Sequence, residues 1–206
     1  MGGDFYDYIP LDNHRFVIMM GDVMGHGVGA ALLMAAVRSA LNVLSGGDLG
    51  INDILLRVNK MLIKDLGKKK FLITLFYGIL DTQTGKLIFA NAGHEYPFIL
   101  RGSSSTLEFL ESTGTIIGMF EECSYKQSEI QLNPGDIVLF YTDGVVEVKA
   151  GPEEQFGKER LYHLVEENRN LPAKELVDKI YNEAVTFSGS KLMSDDLLLL
   201  AIKLRV

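Results

Sequence analysis

Apolar and polar positions change their period several times along this chain, and each change marks an element. Asp4 to Ile9 and Arg15 to Met20 are β-prone runs joined by Pro10-Leu11-Asp12-Asn13-His14, whose turn-forming residues suit a hairpin. The second run closes on Gly21-Asp22. Val28 to Leu44 is apolar nearly all round, which predicts a helix buried between layers rather than an amphipathic surface helix. Ser45-Gly46-Gly47 ends it. Ile51 to Leu66 then repeats apolar residues at Ile51, Ile54, Leu55, Val58, Met61 and Leu62, the spacing of a second helix with one polar face.

From Phe71 the pattern shortens to strands: Phe71 to Leu80, Lys86 to Asn91, Pro97 to Leu100, Thr106 to Leu110 and Asp136 to Tyr141. Turn chemistry separates them at Asp81 to Gly85, Arg101-Gly102-Ser103 and Asn133-Pro134-Gly135, so neighbours are expected to pair antiparallel as a meander. Lys158 to Asn168 and Ala173 to Phe187 read as helices, the second starting near Leu171-Pro172, before a last apolar run, Leu197 to Leu204. Helices on both sides of a block of strands predict an α+β fold: an antiparallel two-sheet β-sandwich flanked by α-helices on both faces.

The 206 residues are 47% hydrophobic and 23% charged, the composition of one globular domain, residues 1–206. Because Met1 stands directly before Gly2-Gly3-Asp4, inside what reads as structured sequence, this domain is expected to be cut from a longer protein. A net charge of -7 gives no basic excess for nucleic acid or an anionic membrane. Cys123 is the single cysteine, which excludes an intrachain disulfide and makes the cytoplasm the expected compartment. The longest apolar stretch is interrupted by Arg38, Ser39 and Asn42, so a soluble domain without membrane contact is expected.

Candidate chemistry lies in the aspartates. Aspartate is disfavoured inside strands, yet Asp22 and Asp143 close two β-prone runs, Asp4 lies beside the first strand, and Asp195-Asp196 precede the last. Four strand ends thus carry carboxylates. In an antiparallel sheet such ends can converge, and convergent carboxylates stay ionised only beside a cation or strong donors. An all-oxygen set suits the hard ions Mg2+ and Mn2+, whereas one cysteine and four scattered histidines give no zinc spacing. A single Asp reads first as a turn residue, as Asp81 and Asp136 do; the ordered set is what the turn reading leaves unexplained.

Gly2-Gly3-Asp4-Phe5-Tyr6-Asp7, Gly21-Asp22-Val23-Met24-Gly25-His26-Gly27, Asn91-Ala92-Gly93-His94, Thr142-Asp143-Gly144-Val145-Val146-Glu147 and Ser194-Asp195-Asp196-Leu197 together resemble the SpoIIE/RsbU-type branch of the metal-dependent, type 2C-like (PPM) serine/threonine protein phosphatases. The five motifs span almost the entire chain. The resemblance implies two Mn2+ or Mg2+ ions, with Asp22 bridging both, Asp143 and Asp195 completing one, and the Val23 carbonyl and Asp4 serving the other. Asp196 ranks behind Asp195. It implies hydrolysis of phosphoserine or phosphothreonine by direct attack of metal-bound water, with Asp22, Asp143 and Asp195 as the catalytic set. The implied substrate is a phosphorylated regulatory protein of the anti-anti-sigma type, controlled by an upstream sensor domain in cis, and a homodimer through the surfaces around Val28 to Leu66 is a further expectation. Better-known type 2C enzymes carry a His directly after the metal-binding Asp-Gly pair. Here Val23-Met24 follow Asp22 and His26 is displaced, which leaves the general acid unassigned. The reading that competes with catalysis is a non-catalytic phosphatase-like regulatory scaffold.

Overall fold

The N-terminal hairpin forms as its turn chemistry predicts. Strand β1 (Phe5–Pro10) pairs antiparallel with β2 (Arg15–Val23), and Asp12 closes the turn by accepting from the backbone N–H groups of His14 and Arg15 at 2.9 and 2.7 Å. The computed structural model describes residues 2–66, 71–151, 154–189 and 195–204; Met1 and Ser194, on which two of the expectations rest, lie outside them. The remaining elements are α1 (Val28–Ser45), α2 (Ile51–Leu66), β3 (Ile73–Asp81), β4 (Lys86–Ala92), β5 (Phe98–Leu100), β6 (Leu107–Phe109), β7 (Ser128–Gln131), β8 (Ile137–Tyr141), α3 (Asp143–Val146), α4 (Gly157–Glu167), α5 (Ala173–Ser188) and β9 (Leu199–Lys203).

They divide into two units, Met1–His94 with Glu111–Leu132 and Glu95–Leu110 with Asn133–Val206. The first holds a five-stranded sheet in the order β1-β2-β3-β4-β7, antiparallel throughout. Side chains alternate across a strand, so Val17, Met19 and Val23 of β2 share one face with Leu75 and Tyr77 of β3 and Ala90 and Ala92 of β4. Helices α1 and α2 cover that face through Val37, Leu41, Ile54, Leu55, Val58 and Leu62. Removing any one of these aliphatic side chains costs about 2–5 kcal/mol of stability.

The second unit holds a four-stranded antiparallel sheet in the order β6-β5-β8-β9. Ile137, Leu139 and Tyr141 of β8 pack with Leu161 and Val165 of α4 and with Leu176 and Ile180 of α5. Every residue of β8 is buried, which is why it reads as an unbroken apolar run.

Four expectations change. The strands after Phe71 are not one meander, because β4 pairs with β3 and β7 while β5 pairs with β6 and β8 in the other sheet. Strand β7 escapes the apolar pattern because Ser128, Glu129 and Gln131 of this edge strand are exposed. Helix α1 has the expected span but not the expected burial: Ala30, Val37 and Leu41 face the sheet, while Val28, Leu32 and Val43 are 67, 67 and 77% exposed. Among the described helices it alone is long and apolar enough to cross a membrane by length and composition, and here it lies against α2, β1 and β2. Arg38 is no loose polar interruption of it, since its Nε donates to Asp7 Oδ2 at 2.8 Å beside Asn42 Nδ2 at 2.9 Å. Burial raises the Asp7 carboxyl, and these donors with the Arg38 charge outweigh it and hold the group below its usual range.

Finally, Asp136 is more than a turn residue. Only 2% exposed, it accepts from the backbone N–H groups of Gly102 at 2.8 Å and Asn133 at 2.9 Å and from Arg101 Nη1 at 2.6 Å, joining the β5–β6 and β7–β8 connections. Arg169 extends the clamp by donating to the carbonyls of Arg101 and Gly102. Burial raises the Asp136 carboxyl, but the two backbone donors and Arg101 bring it below its usual value. Its stabilisation is therefore complete above the ordinary carboxyl range and disappears as pH falls through the lowered folded-state value. Asp136→Ala is expected to cost about 2–5 kcal/mol at pH 7, because two backbone amides lose their acceptor and Arg101 keeps Glu108 but loses its buried carboxylate partner. Urea denaturation from pH 7 downward checks this: the gap between wild type and variant closes only well into the acid range.

Candidate metal centre

Backbone register builds the first half of the site. Phe5 stands opposite Gly21, and the Val23 N–H donates to the Gly3 carbonyl at 3.3 Å, so Asp4 falls opposite Asp22 between those two rungs. Residues directly opposite in an antiparallel pair share a face with Cβ atoms about 4.5–5.5 Å apart. Phe5 and Val23 belong to the core beneath α1 and α2, so their neighbours Asp4 and Asp22 project from the other face of the sheet. Strand β2 runs on to Val23, which places Asp22 inside the strand rather than at its exit; it is half-buried and stands opposite Thr74 of β3.

Thr74 continues the row, a link absent from the sequence reading. Its Oγ1 lies 2.9 Å from His94 Nδ1, and His94 is buried in the loop after β4. Asn91 fixes that loop from both sides: its Oδ1 accepts from the His94 N–H at 2.8 Å, and its Nδ2 donates to the His94 carbonyl at 3.2 Å. Asn91 thus orders this loop, and the His94 ring reaches Thr74. Beyond Val23, Gly25 and Gly27 have φ of 99° and 84°, a backbone region open to glycine at little cost, and they turn the chain from β2 into α1. His26 between them is exposed.

The second half forms where β8 meets β9. Thr142 is buried and exchanges bonds with Leu198: its N–H donates to the Leu198 carbonyl at 3.2 Å, and its Oγ1 accepts from the Leu198 N–H at 3.3 Å. Asp143 then opens the one-turn helix α3 instead of a plain turn. A Cβ on Gly144 would lie 1.9 Å from the Asp196 carbonyl oxygen, so the Asp195-Asp196 backbone rests directly on this helix. Asp195 is exposed and Asp196 half-buried. Burial above all, and then the charges of Asp195 and Glu95, raise the Asp143 carboxyl above its ordinary value. Glu95 is a neighbour the sequence reading missed.

The structure therefore brings Asp4, Asp22 and Val23 together in the first unit and Asp143, Asp195 and Asp196 in the second. Among the described residues, no group of three or more His, Cys, Asp or Glu side chains is gathered closely enough to hold a metal ion. Each unit instead offers a like-charged pair. Carboxylates set against each other by backbone pairing are compensated well by a hard cation, which takes oxygen ligands and fills its shell with backbone carbonyls and water. The residues present fit Mg2+ or Mn2+ on that chemistry, with the Val23 carbonyl within the first set.

Comparisons with known proteins identify the family. The chain is 31% identical over 229 residues to protein IcfG of Synechocystis sp., covering 98% of this chain and 36% of that protein. It is 29% identical over 207 residues to phosphoserine phosphatase RsbU of Bacillus subtilis, covering 100% of this chain and 60% of that protein. The chain thus spans between about a third and three-fifths of the length of these relatives. Among solved structures, the SiaA-PP2C domain of Pseudomonas aeruginosa superposes with a TM-score of 0.85 at 23% identity, covering 98% of this chain and 80% of that one, so the type 2C fold is shared. Residues 12–205 match the family described as Stage II sporulation protein E (SpoIIE), and the chain belongs to that family.

Proposed function

We propose that this chain is a metal-dependent protein phosphatase domain that removes phosphate from phosphoserine or phosphothreonine on a regulatory protein. The observation that carries the reading is the pairing of carboxylates, Asp4 opposite Asp22 and Asp143 beside Asp195, each pair kept together by the backbone. The kinship with a phosphoserine phosphatase, RsbU, points the same way.

In this reading the chain would hold two Mn2+ or Mg2+ ions. Asp4, Asp22 and the Val23 carbonyl in the first unit, and Asp143 and Asp195 in the second, would hold the ions, with Asp196 supporting Asp195. The ions when bound supply activated water and positive charge for the phosphoryl oxygens. The chain's own part is geometric: register fixes Asp4 against Asp22, α3 carries Asp143, and Gly144 seats the Asp195-Asp196 backbone. Water attacks phosphorus in line and the serine or threonine oxygen leaves, so no phosphoenzyme forms.

The substrate class is a phosphorylated protein of the anti-anti-sigma type in the cytoplasm, and control comes from an upstream sensor domain in cis. The exposed Val28, Leu32 and Val43 of α1 support a covering partner there, either that domain or a second copy in a homodimer.

Hydrolysis of para-nitrophenyl phosphate and of a phosphoserine peptide, with manganese, magnesium or chelator, tests the reading. Turnover is expected to require metal, and Asp22→Asn is expected to lower kcat/KM by about a thousandfold. No turnover with any metal, together with no manganese binding by calorimetry, would favour the scaffold reading. Gly144→Ala is expected to displace the Asp195-Asp196 backbone and lower activity about a hundredfold, with manganese affinity falling and circular dichroism unchanged.

A further inference from the structure

Glu95 is the acidic neighbour of Asp143 that none of the five motifs includes. It follows His94 directly, is partly buried, and holds Lys158 Nζ to its Oε2 at 2.7 Å. It also adjoins Tyr141, whose hydroxyl is buried beside Tyr162 and Glu95 and closes a hydrogen bond of ordinary geometry with neither. The cluster therefore links β8, the start of α3, the loop after β4 and the first turn of α4, its residues all within the second unit.

Lys158 is oddly placed for a purely structural cation. It is the second residue of α4, where the helix dipole is positive and disfavours a lysine. A half-exposed ion pair contributes little stability, about 0–1 kcal/mol, so folding energy gives weak grounds for a lysine here. Recognition gives better ones. A phosphoryl dianion approaching Asp143 and Asp195 meets two carboxylates and Glu95 as a third, and the ammonium held on Glu95 offsets that repulsion. Lysine suits the task, being a point charge with three donors on a long stem.

We propose that Lys158 is a phosphate-binding residue of the phosphatase site and that Glu95, the acidic neighbour of Asp143, is the positioning residue that holds it between substrates. The proposal rests on the phosphatase reading. When a phosphoryl group enters, the Lys158 ammonium exchanges the Glu95 carboxylate for a phosphoryl oxygen, with no covalent change. Because Glu95 competes with phosphate for one cation, the two partners of the ion pair should have opposite effects on phosphate affinity. An ion pair that only braces the fold would give effects of the same sign.

Competitive inhibition of para-nitrophenyl phosphate hydrolysis by inorganic phosphate, at saturating manganese, separates the two cases in wild type, Lys158→Met, Lys158→Arg and Glu95→Gln. Lys158→Met is expected to raise the phosphate Ki about tenfold, the scale of one charge-assisted hydrogen bond, and to raise KM more than it lowers kcat. Lys158→Arg should restore most of the affinity, and Glu95→Gln should lower the Ki about threefold by freeing the ammonium. Thermal melts establish that each variant is folded. If wild type turns over normally while Lys158→Met leaves Ki unchanged, or both Lys158→Met and Glu95→Gln raise it alike, Lys158 does not bind phosphate. Absence of metal-dependent turnover in wild type would remove the phosphatase reading and this proposal with it.

Discussion

Like charges held together by backbone hydrogen bonds are the constraint around which this chain is organised. Asp4 and Asp22 cannot move apart without breaking the β1–β2 ladder, because the rungs on both sides of them are backbone contacts, Phe5 opposite Gly21 and Val23 bonded to Gly3. Carboxylates held this close repel unless a cation or hydrogen-bond donors answer them. The core on the opposite face of the sheet, with Phe5 and Val23 among its members, is what opposes that repulsion. A bound cation would reverse the sign of the interaction, so metal binding and the stability of this sheet edge are coupled through the same rungs.

The second unit meets the same constraint by other means. Asp143 is held at the exit of an entirely buried strand, its predecessor Thr142 is bonded twice to Leu198, and the following glycine admits the Asp196 carbonyl. Burial adds to the repulsion here, which is why the Asp143 carboxyl is raised while Asp7 and Asp136, equally tied to the backbone or to arginine, are lowered. Carboxylates in this protein thus fall into two kinds. Asp7 and Asp136, answered by arginine and amide donors, hold the fold together, while Asp143, set beside Asp195 and Glu95, is the kind of group that a cation stabilises.

Elements whose burial is one-sided or complete were legible in the sequence. Helix α2 was predicted with its observed bounds because its apolar residues keep one helical face, and β8 because an unbroken run of five apolar residues must be buried on both faces. Helix α1 shows the limit: its composition predicted burial, but composition does not report which side of a helix finds a partner within the same chain. Sheet membership was hidden for a related reason. Turn residues announce that a strand ends and leave open whether the next strand returns to its neighbour or joins another sheet, as β5 does after β4.

The candidate site divides along the same line. Its aspartates were legible because aspartate is disfavoured in β-prone runs and the ordered set matches a family pattern. The residues beside them were not, because cross-strand neighbours are chosen by register between segments far apart in sequence. Thr74 is an unremarked β-branched residue in a β-prone run until the β2–β3 register sets it against Asp22 and His94 reaches it. Glu95 and Lys158 are 63 positions apart and look like ordinary charges of a loop and a helix; their ion pair exists only because the loop after β4 and the start of α4 meet near the end of β8. Sequence motifs therefore name the groups that carry the site's charge, while the groups that decide how this charge is answered come from the pairing of strands.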